Sequence, residues 1–356
     1  MTFKMIITLV AIGITLILSF ALVPLVKKIA FKVDALDYPN NRKVHTMPTP
    51  RLGGIGIVVS FYVGIFIVFG FIQTAVSIIF PSIFVVLAGV LDDIFTISPK
   101  LKLFLQFMGA LVFVSFGGNH IISFFMVEGQ PLPLNELSLV ITVLWLIGAS
   151  NAVNLIDGLD GLAGGVSLIS SLSLGLLCIL IGNNTYGIVT FILAASILGF
   201  LKYNFYPASI FMGDTGALFL GFILGELAIL GALKGATFIS FMLPILILGI
   251  PILDTVWSIL RRALSGKPIM NADKNHLHHR LLNRGFSHRQ TVLFIYCISA
   301  ILGVTAVLVS GISTINMVIV VVAVVLIILL LFAQMGLFSK TEREKEKGCM
   351  EDEKEE

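Results

Sequence analysis

Charged side chains are scarce: Asp, Glu, Lys and Arg make up 12% of the 356 residues, about half of the roughly 25% found in a soluble domain. Even that figure overstates the body of the chain, because 13 of the 43 charges crowd into positions 339–356. A chain so poor in charge, 57% hydrophobic and with a mean hydropathy of +1.04, is not a water-soluble globule. Cysteine is nearly absent as well. Cys178, Cys297 and Cys349 lie far apart, two of them inside apolar runs, which excludes a disulfide framework and a Cys-x-x-Cys metal site. A formal net charge of +3 is too small for a nucleic-acid-binding surface, so no nucleic-acid partner is expected.

What the chain has instead is long uncharged runs, and a membrane-spanning helix needs about 20 apolar residues. Residues 5–26 supply one such run. Residues 52–91 contain no formal charge and are interrupted near Gly70, which reads as two spans joined by a tight turn. Further spans are expected at 103–117 and 137–156. The uncharged run 162–201 is broken at Gly182-Asn183-Asn184 into two more, and 215–233 and 235–253 add one each. Residues 290–339 divide at Gly311 into the last two. The expectation is an all-α polytopic integral membrane protein of about 11 transmembrane helices: a catalytic domain over 1–338 and a charged cytoplasmic tail over 339–356.

The first run is too long for the apolar core of a signal peptide and ends in Lys27-Lys28 without a small-residue cleavage site, so it is expected to stay as a helix. With the N-terminus outside, alternating loops collect 21 Lys and Arg on the cytoplasmic side and leave two, Lys4 and Lys234, on the other. The positive-inside rule selects that orientation, with the C-terminus cytoplasmic.

Twelve acids remain once the tail is set aside, and nine of them fall at cytoplasmic loops or helix ends. Asp92 and Asp93 close the third span, where the macrodipole is unfavourable to acids and calls for a metal or a lysine nearby. Asn154, Asp157 and Asp160 share one face if Asn151–Gly161 is helical. Asp214 opens the eighth span. Taken singly, Asp160 and Asp214 are well placed to cap the helices they precede. Taken together, carboxylates gathered at one membrane face are costly unless a cation or a substrate holds them. Hard oxygen donors fit Mg²⁺ better than zinc. Glu226 lies too deep in its span to join them, and Gly221 with Gly225 reads as a helix-packing pair.

The complementary cations lie in two loops. The first runs from Arg42-Lys43-Val44-His45 to Pro50-Arg51-Leu52-Gly53-Gly54, whose glycines would either bring backbone N–H groups to a phosphate or serve helix packing. The other carries His276-Leu277-His278-His279, which would ordinarily suggest zinc; without a Cys or a separated ligand group, donors to a diphosphate fit the acidic neighbourhood better. His120 and His288 stand apart and read as incidental.

Five ordered motifs carry a resemblance that covers about residues 33–292: Asp37-x-Pro39-x-x-Arg42-Lys43-x-His45, Asp92-Asp93, Asn151-x-x-Asn154-x-x-Asp157-Gly-x-Asp160-Gly, Gly213-Asp214-Thr215-Gly216 and His276-x-His278-His279. The chain resembles the polyprenyl-phosphate N-acetylhexosamine-1-phosphate transferase superfamily. Within it, the chain is similar to the bacterial undecaprenyl-phosphate GlcNAc-1-phosphate transferases that initiate teichoic acid or O-antigen. The spacing of its histidines differs from the three consecutive ones usual in the phospho-MurNAc-pentapeptide branch, and Thr96 stands where some relatives have a third acid.

The resemblance implies an Mg²⁺-dependent enzyme, with Mn²⁺ as a substitute, in a bacterial cytoplasmic membrane with its active site facing the cytoplasm. Its partners would be UDP-GlcNAc, undecaprenyl phosphate and the bilayer, and a homodimer is compatible with it. By the same resemblance Asn154 and Asp214 would hold the metal with Asp157 beside them. Asp93 would support the metal or orient a lysine, and Asp92 would deprotonate or position the lipid phosphate. Asp160 and Phe211 would bind uracil. Lys43, His45, His276, His278 and His279 would contact phosphates or the sugar. The alternatives are another UDP-N-acetylhexosamine substrate, or a carrier for lipid-linked sugars. A carrier would be expected to show repeated halves and mid-membrane charges. A CDP-alcohol phosphotransferase would need Asp-Gly-x-x-Ala-Arg, and an intramembrane aspartyl protease Gly-x-Gly-Asp; Asp157-Gly158-Leu159-Asp160-Gly161-Leu162 and Phe211-Met212-Gly213-Asp214 supply neither.

Overall fold

The apolar runs become helices because a backbone surrounded by hydrocarbon must satisfy its own N–H and C=O groups. A computed structural model of the chain describes residues 3–38, 48–116, 126–127, 130–131, 134, 136–232, 238–264 and 276–336. In chain order the helices are α1 (Phe3–Lys32), α2 (Gly54–Phe69), α3 (Gln73–Phe95), α4 (Pro99–Ser115), α5 (Glu136–Ile156), α6 (Leu162–Leu180), α7 (Asn184–Asn204), α8 (Gly213–Leu227), α9 (Phe238–Ile247), α10 (Gly249–Leu264), α11 (Leu277–Asn283), α12 (His288–Val309) and α13 (Thr314–Gln334). A π-helical turn, Ala228–Ala232, extends α8. Two minimal antiparallel ladders complete the described structure. Strands β1 (Leu36–Asp37) and β2 (Thr49–Pro50) pair Leu36 with Pro50 and Asp37 with Thr49, and β3 (Met126–Val127) pairs with β4 (Gln130–Pro131).

Eight helices, rather than eleven, are long and apolar enough to cross a membrane among the described residues: α1, α3, α5, α6, α7, α8 with its π-helical turn, α12 and α13. The three shortfalls have physical causes. Helix α2 has 16 residues, about 24 Å at 1.5 Å per residue against a hydrocarbon core of about 30 Å. Helix α4 has 17 residues and opens with Lys100 and Lys102. The run expected at 235–253 divides between α9 and α10, where Pro251 has no N–H to offer the carbonyl of Ile247. The breaks expected inside 52–91, 162–201 and 290–339 fall between α2 and α3, α6 and α7, and α12 and α13.

Helix α8 is the axis of the molecule. Every residue from Thr215 to Leu227 is buried, against α3, α5 and α2. Its close fit to α5 uses Gly221, where a β-carbon would overlap the backbone of Ala149 and Ser150, and the Ser150 hydroxyl donates to the Leu218 carbonyl at 2.9 Å. Glu226 is packed inside, fully buried, with neither carboxyl oxygen hydrogen-bonded among the described residues. Helix α13, by contrast, is the most apolar of the eight spans and the least buried, as a lipid-facing helix would be.

Candidate active site at one end of the bundle

Alternating helices bring the C-termini of α3, α5 and α7 and the N-termini of α2, α4, α6, α8 and α12 to the same end. Asp92, Asp93, Asn154, Asp157, Asp160 and Asp214 all sit there, around a cavity of about 830 Å³. That volume is within the usual range for a small-molecule site.

Asp93 is 3% exposed and wholly committed to the first turn of α8. Its Oδ1 accepts the Asp214 N–H at 3.0 Å, and its Oδ2 accepts the Thr215 N–H at 3.0 Å and the Thr215 hydroxyl at 2.6 Å. The cap of α8 is thus supplied by α3. The approach is close because Gly89, one turn earlier on α3, lies flat on the Thr215 backbone, where a β-carbon would overlap it. Of the two roles the resemblance implies for Asp93, support of the metal or orientation of a lysine, the second falls to other acids, because the lysine at this site pairs with them.

That lysine is Lys102, which the macrodipole argument called for without identifying. It is carried by the first turn of α4, which Ser98 caps through the Leu101 N–H. Thr96, in the left-handed region at φ 52°, turns the chain from α3 into α4. The Lys102 ammonium bridges Asp92 at 3.1 Å and Asp214 in closer contact. Asp214 also accepts from the Asn154 amide at 3.1 Å. The neighbouring Asn151 turns aside, donating to Gln106 on α4 at 2.6 Å.

Neither Asp214 nor Asp160 caps the helix it precedes. The N-cap positions of α8 and α6 are occupied by Met212 and Gly161, neither of which makes a capping side-chain hydrogen bond. Asp160 instead accepts the Ala208 N–H at 2.9 Å. Asp157 lies beside the cluster, and its carboxyl is pushed up to about 8, first by burial and then by Asp214, Asp93 and Asp160. A carboxyl group that burial, reinforced by three neighbouring acids, keeps protonated near neutrality marks a place where a hard cation would be favoured. No three His, Cys, Asp or Glu side chains among the described residues already form a closed metal cage. Mg²⁺ does not require one, because it uses one or two carboxylates and completes its shell with water and substrate phosphate. Asn154, Asp157 and Asp214 fit that description.

The cavity also carries aromatic and basic groups. Phe211, Tyr206, His279 and His288 line it, together with Asp37 and Thr49 from the β1–β2 ladder and Arg51 just after it. The His288 ring lies 4.3 Å from the Tyr206 ring and its Nε2 is 3.4 Å from the Asp160 carbonyl, so it belongs to the site; only folding reveals this, since its partners are far away in sequence. Arg51 contacts Asp37 at 3.7 Å and the Asp93 carbonyl at 3.3 Å. The Gly53 and Gly54 N–H groups are used by the Phe211 and Met212 carbonyls, at 3.0 and 2.8 Å, so they pack α2 against the start of α8 and are not available to a phosphate. Of the three loop histidines, only His279 lines the cavity. His276 and His278 are buried behind it, at 5% and 2% exposure. Lys43 and His45, and the tail from 339, lie outside the described residues.

Comparison with known proteins gives the same direction from independent data. Residues 75–232 match the family model described as glycosyl transferase family 4. The chain is 39% identical over 307 residues to a probable undecaprenyl-phosphate N-acetylglucosaminyl 1-phosphate transferase of Bacillus subtilis (strain 168), covering 85% of each chain. It is 32% identical over 318 residues to the decaprenyl-phosphate N-acetylglucosaminephosphotransferase of Mycobacterium tuberculosis (strain ATCC 25618 / H37Rv), covering 81% of this chain and 78% of that one. It is 30% identical over 306 residues to the undecaprenyl-phosphate alpha-N-acetylglucosaminyl 1-phosphate transferase of Escherichia coli (strain K12), covering 83% and 80%.

Proposed function

Because the chain belongs to the polyprenyl-phosphate N-acetylhexosamine-1-phosphate transferases of glycosyl transferase family 4, we propose that it transfers GlcNAc-1-phosphate from UDP-GlcNAc to undecaprenyl phosphate. The products are undecaprenyl-diphosphate-GlcNAc and UMP. The observation that carries this reading is the Asp92–Lys102–Asp214 bridge beside a cavity that aromatic and basic side chains also line. Such a cavity offers stacking and charged groups to a nucleotide and to phosphate together.

The reaction joins two anions, so positioning and charge neutralisation dominate its cost. A lipid phosphate oxygen attacks the sugar-bearing phosphorus and the bond to UMP breaks. Asp92 is the group assigned to the lipid phosphate, as a proton acceptor or an anchor, with Lys102 setting its position. Asn154, Asp157 and Asp214 would hold Mg²⁺, which when bound supplies a positive charge to the diphosphate oxygens. Phe211 stacks on uracil, and Asp160 offers its second carboxyl oxygen to the base, the first being held by Ala208. Arg51, His279 and His288 donate to phosphate or sugar oxygens, as do Lys43 and His45. The cavity end of the bundle faces the cytoplasm, in keeping with the 21 to two distribution of basic residues.

Purified protein should be incubated with undecaprenyl phosphate, Mg²⁺ and, separately, radiolabelled UDP-GlcNAc, UDP-GalNAc and UDP-MurNAc-pentapeptide. The expected result is lipid product and UMP from UDP-GlcNAc in preference to the others. Preference for another sugar nucleotide would reassign the substrate, and binding without UMP release would overturn the transferase reading.

A further inference from the structure

Two of the three loop histidines sit behind the cavity, and one of them, His278, touches the turn that carries the acids. Asp254, on α10, is 7% exposed. Its Oδ1 accepts the Leu277 N–H at 2.8 Å and its Oδ2 meets His276 Nδ1 at 2.9 Å. This two-point clamp fixes the start of α11. One residue further on, the buried His278 ring borders a small void shared with Ile156, Leu162, Ile250, Ile295 and Asp254, and its Nε2 has no hydrogen-bond partner among the described residues. The ring lies directly on Gly158: a β-carbon at that position would overlap Nε2 and come within 2.7 Å of Cε1. Gly158 is the residue after Asp157 and two before Asp160, inside a turn closed by its own N–H to the Ile156 carbonyl at 2.8 Å.

We propose that Asp254 and His276 are positioning residues, and that they act by holding His278 as a wedge under Gly158, which presents Asp157 and Asp160 to the cavity and leaves His279 facing it. His278 therefore serves by shape. Burial, with His279 adding to it, pushes its imidazole down to about 3, so the ring is neutral and suited to apolar packing. The absence of a side chain at 158 and the presence of a ring at 278 are complementary halves of one contact. The inference rests on the transferase reading for its activity readout, though not for its geometry.

The test is a cycle of four full-length proteins: wild type, Gly158→Ala, His278→Ala and the double variant, each assayed for UMP release and for melting temperature. Gly158→Ala is expected to slow turnover about tenfold or more, the scale of forcing an extra carbon into a packed site. Adding His278→Ala should then recover activity by about threefold or more over Gly158→Ala, a positive coupling of the kind contacting residues show. Losses that multiply would mean that His278 contacts substrate itself, and would overturn the wedge. If Gly158→Ala does not fold, the double variant should fold and turn over; its failure beside a sound His278→Ala protein overturns the proposal equally. For the clamp, Asp254→Asn keeps an acceptor for Leu277 and a partner for His276, so it should stay within about threefold of wild type while Asp254→Ala falls about tenfold. An Asn variant as impaired as the Ala variant would refute positioning by Asp254. If wild-type protein makes no lipid product, the transferase reading falls and melting temperatures decide the wedge: restoration in the double variant supports it, and additive losses overturn it.

Discussion

Replacing Asp93 and Asp214 separately should produce opposite kinds of damage. Asp93 accepts three hydrogen bonds from the first turn of α8 in a position only 3% exposed. Asp93→Ala leaves two backbone N–H groups and a hydroxyl without that acceptor. Hydrogen bonds to a charged group contribute about 1.5–3 kcal/mol each, and neighbouring losses overlap, so a total of about 3–6 kcal/mol is expected. That is a large part of the roughly 5–15 kcal/mol by which domains are stable. Asp93→Asn should fall between, because one oxygen remains while its NH₂ group opposes a donor. Asp214 caps nothing: its side chain faces Lys102 and Asn154. Asp214→Asn should therefore melt within about 1 kcal/mol of wild type, in the range of a surface substitution, and lose nearly all UMP release. The assay is thermal unfolding in detergent, followed by chromatographic retention of the folded peak, with UMP release measured on the same preparations. If Asp214→Asn destabilises as much as Asp93→Asn, or if Asp93→Ala melts like wild type, the assignment of cap and active-site roles is wrong.

Chelation with EDTA should abolish UMP release and Mg²⁺ or Mn²⁺ should restore it; full activity in EDTA would remove the metal from the mechanism. Phe211→Ala should weaken UDP-GlcNAc binding by about 1–3 kcal/mol, the usual worth of a base–aromatic stack, whereas Asp92→Asn should lower turnover with nucleotide affinity kept, and equal loss of binding in both would dissolve that division. His278 has an ordinary value of 6.5 and is lowered to about 3 when folded, so its contribution is complete above pH 6.5 and is lost as pH falls toward 3; wild type should lose melting temperature between pH 7 and 5 more steeply than His278→Ala, and parallel curves would count against it. Single cysteines at Phe71, exposed in the turn between α2 and α3, and at Arg262, in the last turn of α10, should label from outside and only after permeabilisation, respectively.

The acidic cluster was legible in the sequence because its members sit at the ends of apolar runs, and the end of a run is also the end of a helix. Its internal division of labour was not. The rule that an Asp before a helix caps it is local, whereas the cap of α8 comes from Asp93, more than a hundred residues earlier in the chain. The need for a cation near Asp92 and Asp93 followed from the macrodipole, but choosing Lys102 over Lys100 required knowing which face of α4 meets α8. Likewise His276, His278 and His279 read as one cluster until helical geometry sent two of them inward and one to the cavity. His288 stands apart in the sequence because what marks it, Tyr206 and the Asp160 carbonyl, lies on other elements.

How each apolar run is used in the bundle was hidden for a related reason. Apolarity measures how a segment would fare in lipid, and α8 and α13 both pass as spans, α13 by much the wider margin, yet α8 is enclosed by protein and α13 is mostly bare. What distinguishes α8 is its small residues, which admit other backbones: Gly216, Gly221 and Gly225 each lie within contact of a neighbouring helix. Those contacts give the site its stiffness. With Gly89 against Thr215 and Asp93 bonded to the same turn, the N-terminus of α8 cannot shift without moving the end of α3, so Asp92 and Asp214 hold a fixed separation across Lys102. A group that must meet a phosphate on one side and a metal on the other gains from that arrangement, because the distance between the two anionic sites is set by backbone packing and not by the reach of flexible side chains.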